Sequence, residues 1–261
     1  MLAARIISAL IGIPLLIFIV LQGDPYFLIA LSLLTLLALS EFKNIISGIG
    51  QQGLLFPLLV GALLFPLQFL LKYKYILPFF FFYLLFCFCY YLIFYPRYSL
   101  DDLSITILGI LYILGGFLHL LLLRQLSEGA WLVLYLFIVI WSTDTGAYFI
   151  GLTLGKHKLA PAISPKKTWE GFLGGLVTSF LAVYLFSLHF SLSNVLFYLT
   201  PLISCFGQLG DLFASSLKRF AHLKDFGQII PGHGGVLDRF DSILWAAPLT
   251  YYLLITCERL L

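Results

Sequence analysis

The chain has 261 residues, 61% of them apolar and only 10% charged, with a formal net charge of +3. Soluble globular proteins carry about a quarter charged residues, so a soluble domain of this size could not cover its surface. The apolar content also excludes intrinsic disorder, the four scattered Cys exclude a disulfide scaffold, and +3 is too small to point to nucleic acid.

What remains is an all-α polytopic membrane protein, in which each helical span needs about 20 mostly apolar residues. Nine spans are predicted, near Ile6–Leu21, Tyr26–Ser40, Leu54–Leu71, Tyr75–Tyr95, Ile105–Leu123, Ala130–Phe149, Phe172–Phe190, Val195–Ala214 and Ile243–Cys257. Arg5 ahead of the first apolar run resembles a signal peptide. No small-x-small cleavage site follows, and Gln22-Gly23-Asp24-Pro25 turns straight into another apolar run, so this helix is expected to be retained. With the N-terminus inside, the cytoplasmic segments hold Arg5, Lys43, Arg97, Lys156, Lys158, Lys166, Lys167, Lys218, Arg219, Lys224 and Arg239. The outer segments hold Lys72, Lys74, Arg124 and Arg259. Eleven basic residues against four predict the N-terminus inside and the C-terminus outside.

The chain is expected to be a single integral membrane domain. Residues 1–125 are predicted as a mainly hydrophobic helical scaffold and residues 126–261 as a catalytic half. That half carries the two long polar loops, 151–171 and 215–242, both on the cytoplasmic side, and long loops between otherwise minimal turns are where function concentrates. Paired broken helices in two halves, which would mark a transporter, are not found. Cys87, Cys89, Cys205 and Cys257 lie in apolar spans without zinc-like spacing to His.

Two acids sit on apolar spans. Asp144 follows Trp141-Ser142-Thr143, and Asp211 follows Gly207-Gln208-Leu209-Gly210. An acid at membrane depth costs about 2.5–3.5 kcal/mol even on the mild insertion scale, so such residues usually face a cavity and do chemistry. Ser204, Gln208, Asp211, Ser215, Lys218 and His222 recur at helical spacing, which predicts one polar stripe on the eighth span. At about 1.5 Å per residue, Asp144 and Asp211 are expected at similar depths near the inner surface, where two carboxylates could hold a hard cation such as Mg²⁺.

The first loop reads Ser164-Pro165-Lys166-Lys167-Thr168-Trp169-Glu170-Gly171. Hydroxyls and paired Lys near a helix start suit phosphate binding. The second loop runs Ser215-Ser216-Leu217-Lys218-Arg219, then Lys224-Asp225-Phe226-Gly227, then Pro231-Gly232-His233-Gly234-Gly235-Val236-Leu237-Asp238-Arg239-Phe240-Asp241. Its bases suit polyphosphate, its acids suit a metal, and its Gly residues let backbone approach a ligand closely. A purely electrostatic lipid anchor would need the bases alone.

The 27 residues Ser215–Asp241 resemble the signature of the phosphatidate cytidylyltransferases, the CDP-diacylglycerol synthases. That signature pairs Ser-x-x-Lys-Arg with Lys-Asp, His-Gly-Gly and Asp-Arg-x-Asp at fixed spacing, and no departure from it is found. Ser164–Gly171 and Asp144–Tyr148 resemble the same family. The resemblance implies transfer of a cytidylyl group from CTP to phosphatidic acid, with CDP-diacylglycerol and pyrophosphate as products. It implies metal ligation by Asp211 and Asp238, with Asp144, Asp241 and Asp225 as further candidates. Lys218, Arg219, Lys224 and Arg239 would neutralise phosphate and His233 would contact or orient a ligand. Ser164, Lys166, Lys167, Thr168, Ser215, Gly234 and Gly235 would bind the substrates. Mg²⁺, with or without a second cation, is the expected cofactor. The expected setting is a bacterial cytoplasmic membrane, with the site facing the cytoplasm and the chain forming a homodimer. The alternatives are a CTP-dependent enzyme acting on another lipid phosphate or a polyprenol, a transporter, and a structural subunit.

Overall fold

The computed structural model describes residues 2–63, 67, 75–188, 194–230, 232 and 234–260. Its elements in chain order are α1 (Leu2–Gln22), α2 (Tyr26–Gly48), α3 (Leu55–Val60), α4 (Ile76–Ile93), α5 (Leu100–Arg124), α6 (Gly129–Thr153), β1 (Lys158–Ala160), β2 (Ser164–Thr168), α7 (Trp169–Ser187), α8 (Asn194–Phe220) and α9 (Leu237–Leu260). Seven of them, α2 and α4 to α9, are long and apolar enough to cross a membrane, and each carries one predicted span. The first predicted span is α1, whose described apolar stretch, Leu10–Gln22, is shorter. The third begins in α3 and runs into residues 64–66 and 68–71, which lie outside those described. The protein is therefore a helical polytopic membrane fold, with a small antiparallel hairpin, β1–β2, among the described residues where the sequence predicts a loop.

The chain divides into two compact units. One comprises Met1–Leu121 and Lys218–Arg239, the other Leu122–Leu217 and Phe240–Leu261. In the first unit the core is built on α2. Leu31, Leu39, Phe42, Ile45 and Ile46 are fully buried on it, together with Leu54, Leu58, Ile110, Ile113 and Phe117. Gly109 gives up its side chain to the Phe42 ring, which a Cβ would meet at 2.6 Å. The start of α5 is fixed by a capping box between Ser99 and Asp102. The Asp102 carboxylate also accepts the N–H groups of Gln52 and Gly53, and the Thr106 hydroxyl accepts that of Leu54. The chain leading out of α2 is thereby tied to α5.

In the second unit α6 and α7 pack through small residues. A Cβ on Gly146 would collide with Thr178, one on Gly174 with Ile150, and one on Gly171 with the Ala147 carbonyl. Lipid offers no hydrophobic drive between helices, so close van der Waals approach of this kind is what holds membrane helices together. Polar bonds complete the packing. The Tyr135 hydroxyl donates to the Leu196 carbonyl, Thr143 and Ser204 share a hydrogen bond of 2.7 Å, and Gln208 donates to the Phe172 carbonyl. The outward faces keep large apolar side chains exposed, among them Phe149, Val177, Leu181 and Tyr184, as lipid contact requires.

Candidate active site

The signature loop belongs to the first unit, and buried charge holds it in shape. Lys218, in the last turn of α8, places its Nζ 2.8 Å from Asp238 Oδ1 and 4.9 Å from the centre of the Phe226 ring. Asp238, in the first turn of α9, accepts the N–H groups of Phe226 and Gly235 on its other oxygen, each at 3.0 Å. Its side chain is 4% exposed, so both oxygens are committed within the protein. Gly232 and Gly234 take φ of +78° and +84°, a region that L side chains avoid. There the chain folds back so that the Ile230 N–H donates to the Gly234 carbonyl. Lys224, Asp225 and Arg239 are exposed around this knot, and Arg219 is exposed on α8. Pro231 and His233 lie outside the described residues, so the role expected of His233 has no geometry attached to it.

Two residues that sequence reasoning did not single out hold the same loop. Glu41 accepts the N–H groups of Val236 and Leu237 at 2.8 and 2.9 Å, and Asn44 donates to the Phe226 carbonyl at 2.7 Å. The second predicted span stopped at Ser40 and left Glu41 beyond it, whereas α2 continues to Gly48 and buries Glu41 to 2% exposure. The spacing of Glu41 and Asn44, three apart at the end of an apolar helix, is the signal that could have found them.

In the second unit the first polar loop folds as the β1–β2 hairpin, with Lys158 opposite Thr168 and Ala160 opposite Ser164. The Thr168 hydroxyl is buried and accepts the Gly171 N–H, so it caps α7. The cap occupies one lone pair of the hydroxyl expected to contact a ligand. Glu170 accepts the N–H groups of Lys156 and His157 and bonds the His157 ring at 2.6 Å, which ties the loop entry to the helix start. Lys166 is exposed on β2 and Ser164 half-buried. Lys167 reaches Asp211 Oδ2 at 2.7 Å, and Ser215 donates to the other oxygen at 3.5 Å. The polar stripe predicted on the eighth span is present from Ser204 to Lys218, each member bonded. His222 falls beyond the end of α8 with φ +56°, so it leaves the stripe. Asp144 is exposed on α6, next to Thr143 with its bond to Ser204. Asp241 is buried where α8 and α9 pack tightly, and a Cβ on Gly210 would come within 2.8 Å of its carbonyl.

No three His, Cys, Asp or Glu side chains converge into a metal cage among the described residues. Mg²⁺ bound with nucleotide needs no such cage, because one or two carboxylates plus phosphate oxygens and water complete its octahedron. Asp211, with 35% of its side chain exposed and an ammonium and a hydroxyl as its partners, is a hard oxygen donor that fits such an open site.

A model of the cytidylyltransferase family matches residues 3–257. A phosphatidate cytidylyltransferase of Staphylococcus haemolyticus is 38% identical over 267 residues, covering 96% of this chain and 98% of its own. One of Staphylococcus aureus (strain COL) is 38% identical over 266 residues, again 96% of this chain and 98% of its own. One of Bacillus subtilis is 47% identical over 161 residues, 60% of either chain. With the family matched from end to end and relatives of this identity along nearly its whole length, the chain belongs to the cytidylyltransferase family.

Proposed function

We propose that this protein transfers a cytidylyl group from CTP to phosphatidate, giving CDP-diacylglycerol and pyrophosphate. The observation that carries the reading is the near-complete alignment with phosphatidate cytidylyltransferases. In the reaction a phosphatidate oxygen attacks the α-phosphorus of CTP. The bond from that phosphorus to the bridging oxygen of the β-phosphate breaks, and pyrophosphate leaves with the electron pair. The nucleophile is already an anion, so no strong general base is needed, and the physical problem is bringing two polyanions together.

The bases of the two polar loops answer that problem. Lys166, Lys224, Arg219 and Arg239 are exposed and supply positive charge to the phosphates. Lys167 and Lys218 are held by Asp211 and Asp238 and supply charge from fixed positions. Ser164 and Ser215 would contact the substrates in this reading and His233 would contact or orient a ligand, whereas the space over Gly234 and Gly235, expected to admit a substrate, is taken by the Asp238 and Glu41 carboxylates. Asp211, with part of its carboxylate exposed, is the residue that would hold Mg²⁺ as it stands; Asp238 would join it only by giving up bonds to Lys218 or to the Phe226 and Gly235 N–H groups, and Asp144, Asp225 and Asp241 are further oxygen donors. When bound, the ion neutralises triphosphate charge and favours departure of pyrophosphate. Phosphatidate keeps its acyl chains in the bilayer while CTP is dissolved in water, so the proposed site lies at the cytoplasmic face of a bacterial membrane, in a chain expected to pair as a homodimer.

The test is release of pyrophosphate by purified protein given CTP, phosphatidate and Mg²⁺. Activity is expected to vanish with a chelator and to return with added Mg²⁺. Turnover with a different lipid phosphate or a polyprenol, and none with phosphatidate, would redirect the reading to a related enzyme. No turnover with any lipid acceptor would overturn it.

A further inference from the structure

Glu41 is a buried acid with no part in the transfer reaction described above. It is an acid 2% exposed in an apolar helix, and it makes no ion pair among the described residues. Buried charges are normally paired, because leaving water costs several kcal/mol per ion. Here the compensation comes from backbone. Oε1 accepts the N–H of Val236 at 2.8 Å and Oε2 that of Leu237 at 2.9 Å. These two N–H groups sit at the start of α9, where helix geometry leaves donors unmatched and favours negative charge. Two glycines make room for the carboxylate. A Cβ on Gly227 would meet Oε1 at 2.6 Å, and one on Gly235 would collide with Oε2. Neither glycine is among those with positive φ, so what the site demands of them is space. One turn further along α2, Asn44 holds the Phe226 carbonyl. The Phe226 N–H, on the other side of the same residue, is held by Asp238.

The signature loop is thus gripped at two places by one helix end, 195 residues away in sequence. The residues fixed by the grip adjoin Gly234, Gly235, Asp238 and Arg239, which carry the polar chemistry of the motif. We propose that Glu41 is a positioning residue for the transfer reaction. By clamping the Val236 and Leu237 backbone it sets where the start of α9 presents Asp238 and Arg239. The kinetic consequence rests on the function proposed above; the clamp itself does not.

The test uses the full-length protein in detergent or nanodiscs. Glu41→Gln keeps the shape but leaves one acceptor for two donors and sets an amide N–H₂ against the second. Misplacing a catalytic segment by about 1 Å costs on the order of a hundredfold in rate. Glu41→Gln is therefore expected to lower kcat by about 10- to 100-fold, with the KM for CTP changed less than about threefold. Amides of residues 226–238 should exchange hydrogen faster, while those of the buried α6 segment 133–140 keep wild-type protection. Gly227→Ala pushes on the same carboxylate from the other side and is expected to reproduce both effects. The double variant should be no worse than the more damaged single one, as residues acting through one contact behave.

A purely structural Glu41 would lower yield and melting temperature but leave kcat per folded molecule at the wild-type value, and that result overturns the proposal. So does wild-type exchange over residues 226–238 in folded Glu41→Gln. If Glu41→Gln does not fold, Gly227→Ala decides by the same two measurements. If the wild-type protein shows no transfer activity, the functional reading fails instead, and the exchange measurement alone decides whether the clamp exists.

Discussion

Asp238 and Asp211 carry the same side chain in different settings. Asp238 is paired with Lys218, and their side chains are 4% and 15% exposed. Removing one partner of a buried pair leaves the other charge uncompensated, at a cost of about 3–5 kcal/mol. Asp238→Ala is therefore expected to lower the melting temperature sharply in detergent, and Asp238→Asn, which can still accept the two backbone N–H groups, less so. Asp211 with Lys167 is a partly exposed pair worth at most about 1 kcal/mol. Asp211→Asn should leave thermal unfolding nearly unchanged. As a proposed metal ligand it should lower kcat by more than the 10- to 100-fold that loss of a mere ligand-orienting partner costs. Near-normal activity of that variant with Mg²⁺ would remove Asp211 from the ligand set.

At the scale of elements, the long helices were legible because membrane spans are read from length and apolarity alone, and α4 to α9 follow those runs. The β1–β2 hairpin was not, since 158–168 mixes Lys, Pro and hydroxyls in no strand-like alternation. The same mixture pointed to phosphate, and it concealed that the Thr168 hydroxyl caps the start of α7. The capping pattern is incomplete, with Gly171 where a Glu or Gln would finish the box. Thr168→Ala is expected to cost about 1 kcal/mol of stability, the usual value of a lost cap. A Gly146→Leu substitution addresses the α6–α7 seam. Its side chain has no room beside Thr178, so folded protein should be largely lost from membranes by fluorescence-detected chromatography.

For the whole molecule, the Glu41 bonds to Val236 and Leu237 impose a condition on topology. The end of α2 and the start of α9 must lie on the same side of the bilayer, so an even number of crossings must separate them. The nine-span reading meets this condition with six, its third to eighth spans. Reporters inserted after Gln51 and after Lys224 are expected to report one side, the cytoplasm, and a reporter at the C-terminus the opposite side. Reading the first 125 residues as a scaffold missed this link. An acid at the end of an apolar run looks like an interfacial residue until its distant partners are known, and a partner that is backbone N–H leaves no mark in composition. The signature loop was legible for the opposite reason, because its chemistry lies in side chains close together in sequence.

The clamp also bears on how the protein is made. A ribosome delivers Glu41 long before Val236 and Leu237 exist, so α2 enters the membrane carrying an acid whose two donors have yet to be synthesised. An unmatched acid weakens the commitment of a span to lipid. Until residues 236 and 237 are made, the end of α2 lacks the two N–H donors that Glu41 uses in the complete protein, so chains truncated before residue 236 are expected to leave that helix end less firmly seated. The defect of such a fragment would thus show in one of the first helices made, although the missing part is the last.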